Sequence, residues 1–322
     1  MRLFATAAFF LAAATSALAQ REPQPFKGPD DVEFRAAAIV SEGTRMAAEL
    51  FSLKEKKDQK LPTILMAHGW GGTALALRPD AIKFAQAGFL VVTFDYRGWG
   101  NSDGRLVLPG PIPPDRKDGK FTAEVKELRE IVDPLDQTTD WLNALHWLQG
   151  EKACDAKRIG LWGSSYSGGH VVYVAARDRR VKATFSQVGA FDSRFVVASD
   201  AERAKTYAEG TGRARGELPY PEPSVRAVGN LRGAPIRERL MHYAPIEEVA
   251  KLGSCATMFV VAENEELFDN RQHGIKAHEL APGPKKLVTI PGIKHYGIYQ
   301  EARERAQALA IEWFTEHLKK ND

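Results

Sequence analysis

The sequence predicts an α/β fold, in which a mostly parallel sheet of eight strands is flanked by helices and carries a helical cap insertion. Two strand patterns come first, joined by a tight turn, and six further apolar runs then alternate with amphipathic segments. This alternation is typical of a parallel sheet covered on both faces. Residues 191–243 interrupt it without a clear strand pattern, so we assign the cap insertion to about residues 190–244.

Each element follows from a local pattern. The strands are short apolar runs, and the first helix has an amphipathic pattern that stops at Gly88. A Pro- and Gly-rich stretch at residues 104–120 predicts a long loop at the carboxyl edge of the sheet. Strands are predicted at residues 34–40, 46–53, 61–67, 89–94, 158–162, 181–188, 256–262 and 286–290, and helices at 78–87, 138–148, 167–176, 270–280 and 300–319.

The composition is that of one large globular domain. The chain has 322 residues, of which 44% are hydrophobic and 26% charged, enough to bury a sizeable core. The formal net charge is +3, and no run of like charge marks a surface for nucleic acid or membrane. We therefore expect no nucleic-acid partner, and the oligomeric state stays open.

Residues 1–19 have the pattern of a cleaved signal peptide. Arg2 supplies a positive start, an uncharged and mostly apolar segment follows, and Ala17-Leu18-Ala19 matches the small-x-small cleavage pattern. The apolar run is shorter than the ~20 residues that a membrane span needs, so we expect cleavage and no stable membrane anchor. The mature chain is then a single domain of residues 20–322, periplasmic or secreted.

A nucleophile is predicted at Ser165. The chain reads there as a strand, a Gly-Ser-Ser-Tyr-Ser-Gly turn and a helix, which is the arrangement of a nucleophile elbow. The tight turn requires small residues two positions before and after the serine, and Gly163 and Ser167 meet this requirement for Ser165. Ser164 does not meet this requirement, because the bulky Trp162 lies two positions before it. The following helix points its amino end at the site, which favours the negative charge of acyl transfer.

The segment His-Gly-Trp-Gly-Gly at residues 68–72 follows the third strand and predicts an oxyanion hole. With an elbow of this type, the oxyanion is bound by two backbone N–H groups, one from that loop and one from the residue after the nucleophile. The candidates are the N–H groups of Trp70 and Tyr166. His68 precedes the nucleophile, and we expect it to hydrogen-bond within its own loop rather than to act as the base.

The base is predicted to be His295. The chain order with this elbow is serine, acid, histidine, which leaves His273, His278, His295 and His317 as candidates. The first two fall in a predicted helix on the flank of the sheet, and the last falls in the closing helix. His295 alone lies in the loop after the last strand, which returns over the elbow and brings it to Ser165.

Neither a cofactor nor a metal is expected. The histidines do not cluster at ligand spacing, and no glycine-rich dinucleotide motif is present. The two cysteines, Cys154 and Cys255, each precede a predicted strand. In an oxidising compartment they could pair, and the alternative is two buried free thiols.

These motifs resemble those of α/β hydrolases of the dienelactone-hydrolase and X-prolyl-dipeptidyl-peptidase-like branch, over about residues 33–318. The resemblance implies the α/β-hydrolase fold and serine hydrolase chemistry, with Asp95 and Arg97 bracing the loop after the fourth strand. The tyrosine side chain that X-prolyl peptidases place in the oxyanion hole has no counterpart here, since Trp70 stands near that position, and ester hydrolysis is favoured. The resemblance is carried by residues 68–72, 94–104, 163–168, 243–246 and 291–295.

The same resemblance indicates the acid of the triad. In many related sequences the turn after the seventh strand carries an aspartate, and Glu265 takes that place here. Asp192, after the sixth strand, is an alternative position for the acid. We expect the remaining acidic residues of the turn to be solvated loop charges; they are Glu263, Glu266 and Asp269.

The predicted function is hydrolysis of a small-molecule carboxylic ester or thioester through Ser165, His295 and Glu265, by way of an acyl-enzyme. A serine peptidase or amidase, an acyltransferase, and a fold that binds without catalysis remain as alternatives. The cap and the loop at residues 104–120 would set the specificity. Four aromatic residues of the cap suggest an apolar pocket: Phe195, Tyr207, Tyr220 and Tyr243.

Overall fold

The computed structural model describes residues 26–319, and the predicted signal peptide lies outside this range. The strands are β1 (Val32–Ser41), β2 (Thr44–Leu53), β3 (Leu61–Ala67), β4 (Leu90–Phe94), β5 (Arg105–Val107), β6 (Lys126–Leu128), β7 (Ile131–Val132), β8 (Cys154–Ser164), β9 (Val181–Gln187), β10 (Ser224–Val228), β11 (Leu231–Pro235), β12 (Ala256–Ala262) and β13 (Lys285–Ile290). The helices are α1 (Arg78–Gln86), α2 (Pro134–Gly150), α3 (Tyr166–Ala175), α4 (Asp200–Ala214), α5 (Arg237–Leu240), α6 (Gly274–Leu280) and α7 (Arg303–Phe314).

Eight strands form the central sheet in the order β1-β2-β4-β3-β8-β9-β12-β13. The β1–β2 and β2–β4 pairs are antiparallel, and all later pairs of this sheet are parallel. The prediction of a mostly parallel, eight-stranded sheet is confirmed. The predicted bounds of β3 and β12 are those observed, whereas β8 begins at Cys154, earlier than residue 158.

The sheet separates two layers of core. Every residue of β3, β4 and β12 is buried, as expected for interior parallel strands with helices on both faces. Successive side chains point to opposite faces, so Ile64 packs in the cluster that contains Phe84 of α1 and Phe314 of α7. Its neighbour Leu65 packs on the other face, with Trp141 of α2.

The loop after β4 is braced by Asp95 and Arg97, as the resemblance implies. The Asp95 carboxylate accepts hydrogen bonds from the backbone N–H groups of Ala74 (2.6 Å) and Asn101 (2.9 Å). Arg97 Nε donates to Oδ1 of the buried Asp140 on α2 at 2.5 Å. The loop that follows β3 and the loop that follows β4 are therefore fixed to each other at the carboxyl edge of the sheet.

The predicted helical cap contains strands as well as a helix. Between residues 190 and 244 the chain forms α4 and then an antiparallel hairpin of β10 and β11. The sequence does not reveal this hairpin because no residue of β10 is buried and the strand lacks a continuous apolar run. β11 also pairs with β7, which joins the cap to the body of the protein ahead of α2.

Cys154 and Cys255 are both buried free thiols, so the structure contains the unpaired alternative and not the disulfide. Burial raises the pKa of Cys255 to about 12, which keeps this thiol protonated and unreactive. Among the helices of residues 26–319, none has the length and hydrophobicity needed to cross a bilayer.

Candidate active site

Ser165 lies at the sharp turn between β8 and α3, in a backbone conformation that non-glycine residues rarely adopt. Its φ is 57° and its ψ −122°. Gly163 is required because a Cβ there would lie 2.3 Å from the carbonyl oxygen of Ser167. The turn is held by its backbone, since Ser165 N donates to Gln187 O at 2.9 Å and Ser165 O accepts from Ala190 N at 3.0 Å.

The structure brings together the three residues that the sequence predicts for the triad. His295 Nε2 lies 3.0 Å from Ser165 Oγ, and His295 Nδ1 lies 2.9 Å from both carboxylate oxygens of Glu265. The side chains of His295 and Glu265 are only 1% and 2% exposed. A buried carboxylate on Nδ1 leaves Nε2 free to accept the serine proton and stabilises the imidazolium that results.

The acidic turn after β12 also positions the loop that carries His295. Glu266 Oε2 accepts the backbone N–H of His295 at 2.7 Å, and Glu263 Oε2 accepts that of Gly292 at 2.7 Å. Both glutamates are exposed, as expected for loop charges, but each also has a structural role that the sequence does not predict. They fix the loop because carboxylates accept strong hydrogen bonds from backbone N–H groups.

The other candidates have different partners. Asp269 is exposed and pairs with Arg271, and Asp192 pairs with Arg194 rather than with a histidine. Burial acts to raise the pKa of Asp192, but hydrogen bonds from Arg194 lower it below its usual value. His68 Nδ1 hydrogen-bonds to Gly69 O at 2.9 Å, which confirms the prediction that it bonds within its loop.

The oxyanion loop lies directly against the elbow. A Cβ on Gly69 would lie 2.8 Å from Ser164 O, 3.2 Å from Ser165 Cβ and 3.6 Å from Tyr166 N. Within the described residues, the backbone N–H groups of Trp70 and Tyr166 donate to no protein acceptor. Two free N–H groups beside a serine hydroxyl are the donors that an oxyanion needs.

A cavity of roughly 640 Å³ opens at Ser165. The tip of the β10–β11 hairpin forms one wall, and the turn after β12 forms another. Of the four cap aromatics suggested as pocket residues, Phe195 borders the cavity, whereas Tyr207 is exposed and Tyr243 is buried beneath α3. Tyr220 borders a separate small cleft beside Arg97. The large apolar groups of the main cavity are Trp70, Phe195, Leu231, Leu267, Phe268 and Tyr296.

A buried polar network supports the elbow from below. His170 on α3 accepts the hydroxyl proton of Tyr243 at Nδ1 and lies 3.2 Å from Gln137 Oε1 at Nε2. Burial lowers the pKa of His170 to about 3, helped by the nearby His68, so this ring is neutral. The described residues contain no group of three or more His, Cys, Asp or Glu arranged to hold a metal ion.

Two family models match the chain. The prolyl oligopeptidase family model matches residues 135–321, more than half of the sequence, and the model of X-Pro dipeptidyl-peptidase (S15 family) matches residues 42–201. The chain belongs to the prolyl oligopeptidase family, within the α/β-hydrolase superfamily, and the second match agrees with its resemblance to X-prolyl peptidases. It is thus a hydrolase-type enzyme, and the resemblance read from its motifs is confirmed.

The chain is also similar to individual proteins over most of its length. The α/β hydrolase is 30% identical to an uncharacterised 31.7 kDa protein of Escherichia coli, over 80% of this chain and 92% of that one. It is 22% identical to the thiohydrolase aneE of Aspergillus aculeatus, over 74% of this chain and 79% of that one. A hypothetical protein from Pseudomonas aeruginosa has the same fold, with a TM-score of 0.72 at 20% identity over 91% of this chain and 96% of that one.

Sequence reasoning missed two parts of the hydrolase site. The sequence does not predict the hairpin of the cap, and its pattern places His273 in a helix on the flank of the sheet. In the structure His273 immediately precedes α6 and borders the cavity that contains Ser165. No local pattern marks it, because its position depends on contacts with residues distant in sequence.

Proposed function

We propose that this hydrolase is an exported serine esterase that cleaves a small-molecule carboxylic ester or thioester. The observation that carries the proposal is the hydrogen-bonded series from Ser165 Oγ through His295 to Glu265, with heavy-atom distances of 3.0 and 2.9 Å. Such a series is the geometry that activates a serine for attack on a carbonyl.

The reaction proceeds through an acyl-enzyme. His295 Nε2 takes the proton of Ser165 as the hydroxyl oxygen attacks the carbonyl carbon, and the N–H groups of Trp70 and Tyr166 stabilise the oxyanion. His295 then donates that proton to the departing alcohol or thiol. Water, activated by the same histidine, releases the acid in the second half of the reaction.

The surroundings of the cavity favour an ester over a peptide with a free amino terminus. An amine would be bound most strongly by a buried, unpaired carboxylate, but Asp192 is paired with Arg194, and Glu266 is exposed and already accepts the His295 N–H at Oε2. The thioester option is supported by the relative described as a thiohydrolase. The large lining groups of the cavity are apolar, which suits a hydrocarbon chain.

A peptidase or amidase is the second candidate, because both family models that match the chain describe prolyl peptidases. Steady-state rates on p-nitrophenyl acyl esters and on aminoacyl-p-nitroanilides separate the two candidates, with Ser165→Ala as the matched inactive variant. Turnover of the esters alone supports the proposal. Comparable turnover of the anilides contradicts the ester assignment, and transfer of the acyl group to an added alcohol would indicate an acyltransferase.

Export is also a proposal, and it rests on the signal-peptide pattern of residues 1–19. Mass spectrometry of the amino terminus, after expression of the full chain with periplasmic and external fractions collected, tests it. A terminus at Gln20 in an exported fraction is the expected result. An uncleaved Met1 terminus confined to the cytoplasm would contradict export.

A further inference from the structure

His273 is a second histidine of the active-site cavity, and the mechanism above gives it no role. It borders the same cavity as Ser165, at the position just before α6. His273 is only 9% exposed. Most of its ring therefore packs against protein, and only one edge of the ring reaches the cavity.

One nitrogen of this ring is already occupied. Phe191 N donates a hydrogen bond to His273 Nδ1 at 2.8 Å, so Nδ1 carries no proton. Burial lowers the pKa of His273, although the carboxylates of Asp192, Glu265 and Asp269 act in the opposite direction. The ring is therefore neutral near pH 7, and its single proton lies on Nε2. Within residues 26–319, Nε2 has no hydrogen-bond acceptor.

The ring is held rigidly and close to the triad. Phe268 packs against it with ring centroids 4.4 Å apart at 31°, and the same phenyl ring meets His295 edge-on at 5.6 Å. Phe191, which anchors Nδ1, is fully buried. A donor fixed in this way loses no side-chain freedom when it binds a ligand.

Most of the other polar side chains of the cavity wall are engaged by protein partners or lie at its edge. Asp192 pairs with Arg194, Ser193 Oγ donates to the Tyr166 hydroxyl at 3.2 Å, and Glu266 holds the backbone of His295. Asn230 is exposed at the tip of the hairpin. His273 thus offers a donor without a protein acceptor, in a pocket whose large lining groups are mostly apolar.

We propose that His273 Nε2–H is a specificity-determining donor that binds an oxygen acceptor on the substrate chain filling the cavity. This inference rests on the proposed esterase function and narrows it. The preferred substrates are esters or thioesters whose acyl or alcohol part carries an ether, carbonyl or hydroxyl oxygen. A plain hydrocarbon chain of the same length leaves the donor unpaired in a dry site, which disfavours it.

Two variants separate the donor from the structural contact of this side chain. In His273→Asn the amide oxygen can still accept the Phe191 N–H, but the donor at the Nε2 position is gone. In His273→Gln the amide nitrogen reaches the Nε2 position, but the acceptor for Phe191 is lost. If His273 has only a structural role, His273→Gln should lose more activity than His273→Asn on all substrates. If His273 determines specificity, His273→Gln should keep the preference for substrates with an oxygen acceptor.

The test compares substrates that differ by one oxygen in place of one methylene. The acyl series consists of p-nitrophenyl esters of methoxyacetic, methoxypropanoic and methoxybutanoic acids against butanoic, pentanoic and hexanoic acids. A second series consists of hexanoate esters of paired alcohols, in which an ether oxygen in one member replaces a methylene of the other. The rate of Ser165 labelling by a fluorophosphonate reports, in each variant, whether the nucleophile is intact.

We expect His273→Asn to lower kcat/KM about 3–10-fold for the ether member of at least one pair and less than about twofold for its methylene partner, the effect of one neutral hydrogen bond. His273→Gln should retain the ether preference. Equal losses for both members of every pair, with wild-type turnover and labelling intact, would overturn the inference and leave the esterase proposal standing. Absence of turnover and labelling in the wild type would overturn both.

Discussion

At the scale of single residues, the site depends on backbone conformations that are unfavourable on their own. Ser165 has a φ of 57°, and Val188, just beyond β9, has a φ of 41° although it is β-branched. Val188 N donates to Val260 O at 2.7 Å, next to the Gln187 carbonyl that accepts Ser165 N–H. The almost entirely buried strands β9 and β12 therefore stabilise the two strained residues, Ser165 and Val188, that position the serine at the cavity.

The clearest residue-scale prediction concerns Glu265. In Glu265→Gln the amide cannot stabilise the imidazolium of His295 and favours the wrong tautomer, so kcat should fall about a thousand-fold or more, with a small change in KM. Steady-state hydrolysis of a p-nitrophenyl ester measures both constants.

The matched control for that variant is Asp269→Asn, in the same turn. Asp269 is exposed and pairs with Arg271 on the surface, so its loss should change kcat less than about twofold. If Glu265→Gln retained nearly full activity, or Asp269→Asn lost as much, the assignment of the acid would be wrong.

At the scale of elements, Trp70 connects the oxyanion loop to the cap hairpin. Its indole Nε1 donates to Arg232 O on β11 at 3.0 Å, and its ring packs 5.2 Å from that of Tyr166. Gly71, with a φ of 77°, lies against the same part of β11. The Trp70 side chain therefore ties the cap hairpin to the loop beside the nucleophile.

This arrangement predicts a separation of binding from catalysis. Trp70→Phe keeps the ring and the backbone N–H but leaves Arg232 O without its partner, so the hairpin should move more freely. We expect KM for longer acyl esters to rise about threefold or more, with kcat within about twofold. Kinetics across acyl chain lengths check this, with Trp147→Phe on the distant helix α2 as control; a fall in kcat at unchanged KM contradicts it.

The sequence predicts those elements whose own residues form a recognisable local pattern. The strands β3 and β12 are unbroken apolar runs because both of their faces are buried, and the elbow is recognisable because sterics allow only small residues around Ser165. The cap hairpin could not be predicted, since the exposed strand β10 has no periodicity to detect. The environment of His273 cannot be predicted either, because Phe191 and Phe268, which position it, come together only in the folded chain.

At the scale of the whole molecule, several histidines are buried as neutral rings. His170 beneath the elbow has its pKa lowered to about 3, and burial also lowers the pKa values of His68 and His273. The unfolded chain binds protons at these rings below about pH 6.5, whereas the native protein does not. Their contribution to stability is therefore complete above that pH and is lost as the pH falls towards the folded-state pKa.

We predict that the free energy of unfolding decreases between about pH 6.5 and pH 5, with a contribution from His170 that approaches about 1.4 kcal/mol per pH unit. Urea denaturation across this range, on the wild type and on His170→Gln, isolates that contribution. The variant should be less stable at pH 7 but should show a shallower slope. Parallel slopes for the two proteins would mean that His170 is not buried as a neutral ring.

The central claim is that Ser165 is an activated nucleophile, and a fluorophosphonate probe with mass spectrometry of the labelled peptide tests it most directly. The controls are Ser165→Ala and Ser164→Ala, because Ser164 Oγ contacts Tyr299 and Gln187 rather than a histidine. We predict one label, on Ser165, present in the wild type and in Ser164→Ala and absent from Ser165→Ala. A folded wild-type chain that takes up no label, or a label that persists in Ser165→Ala, would contradict the account.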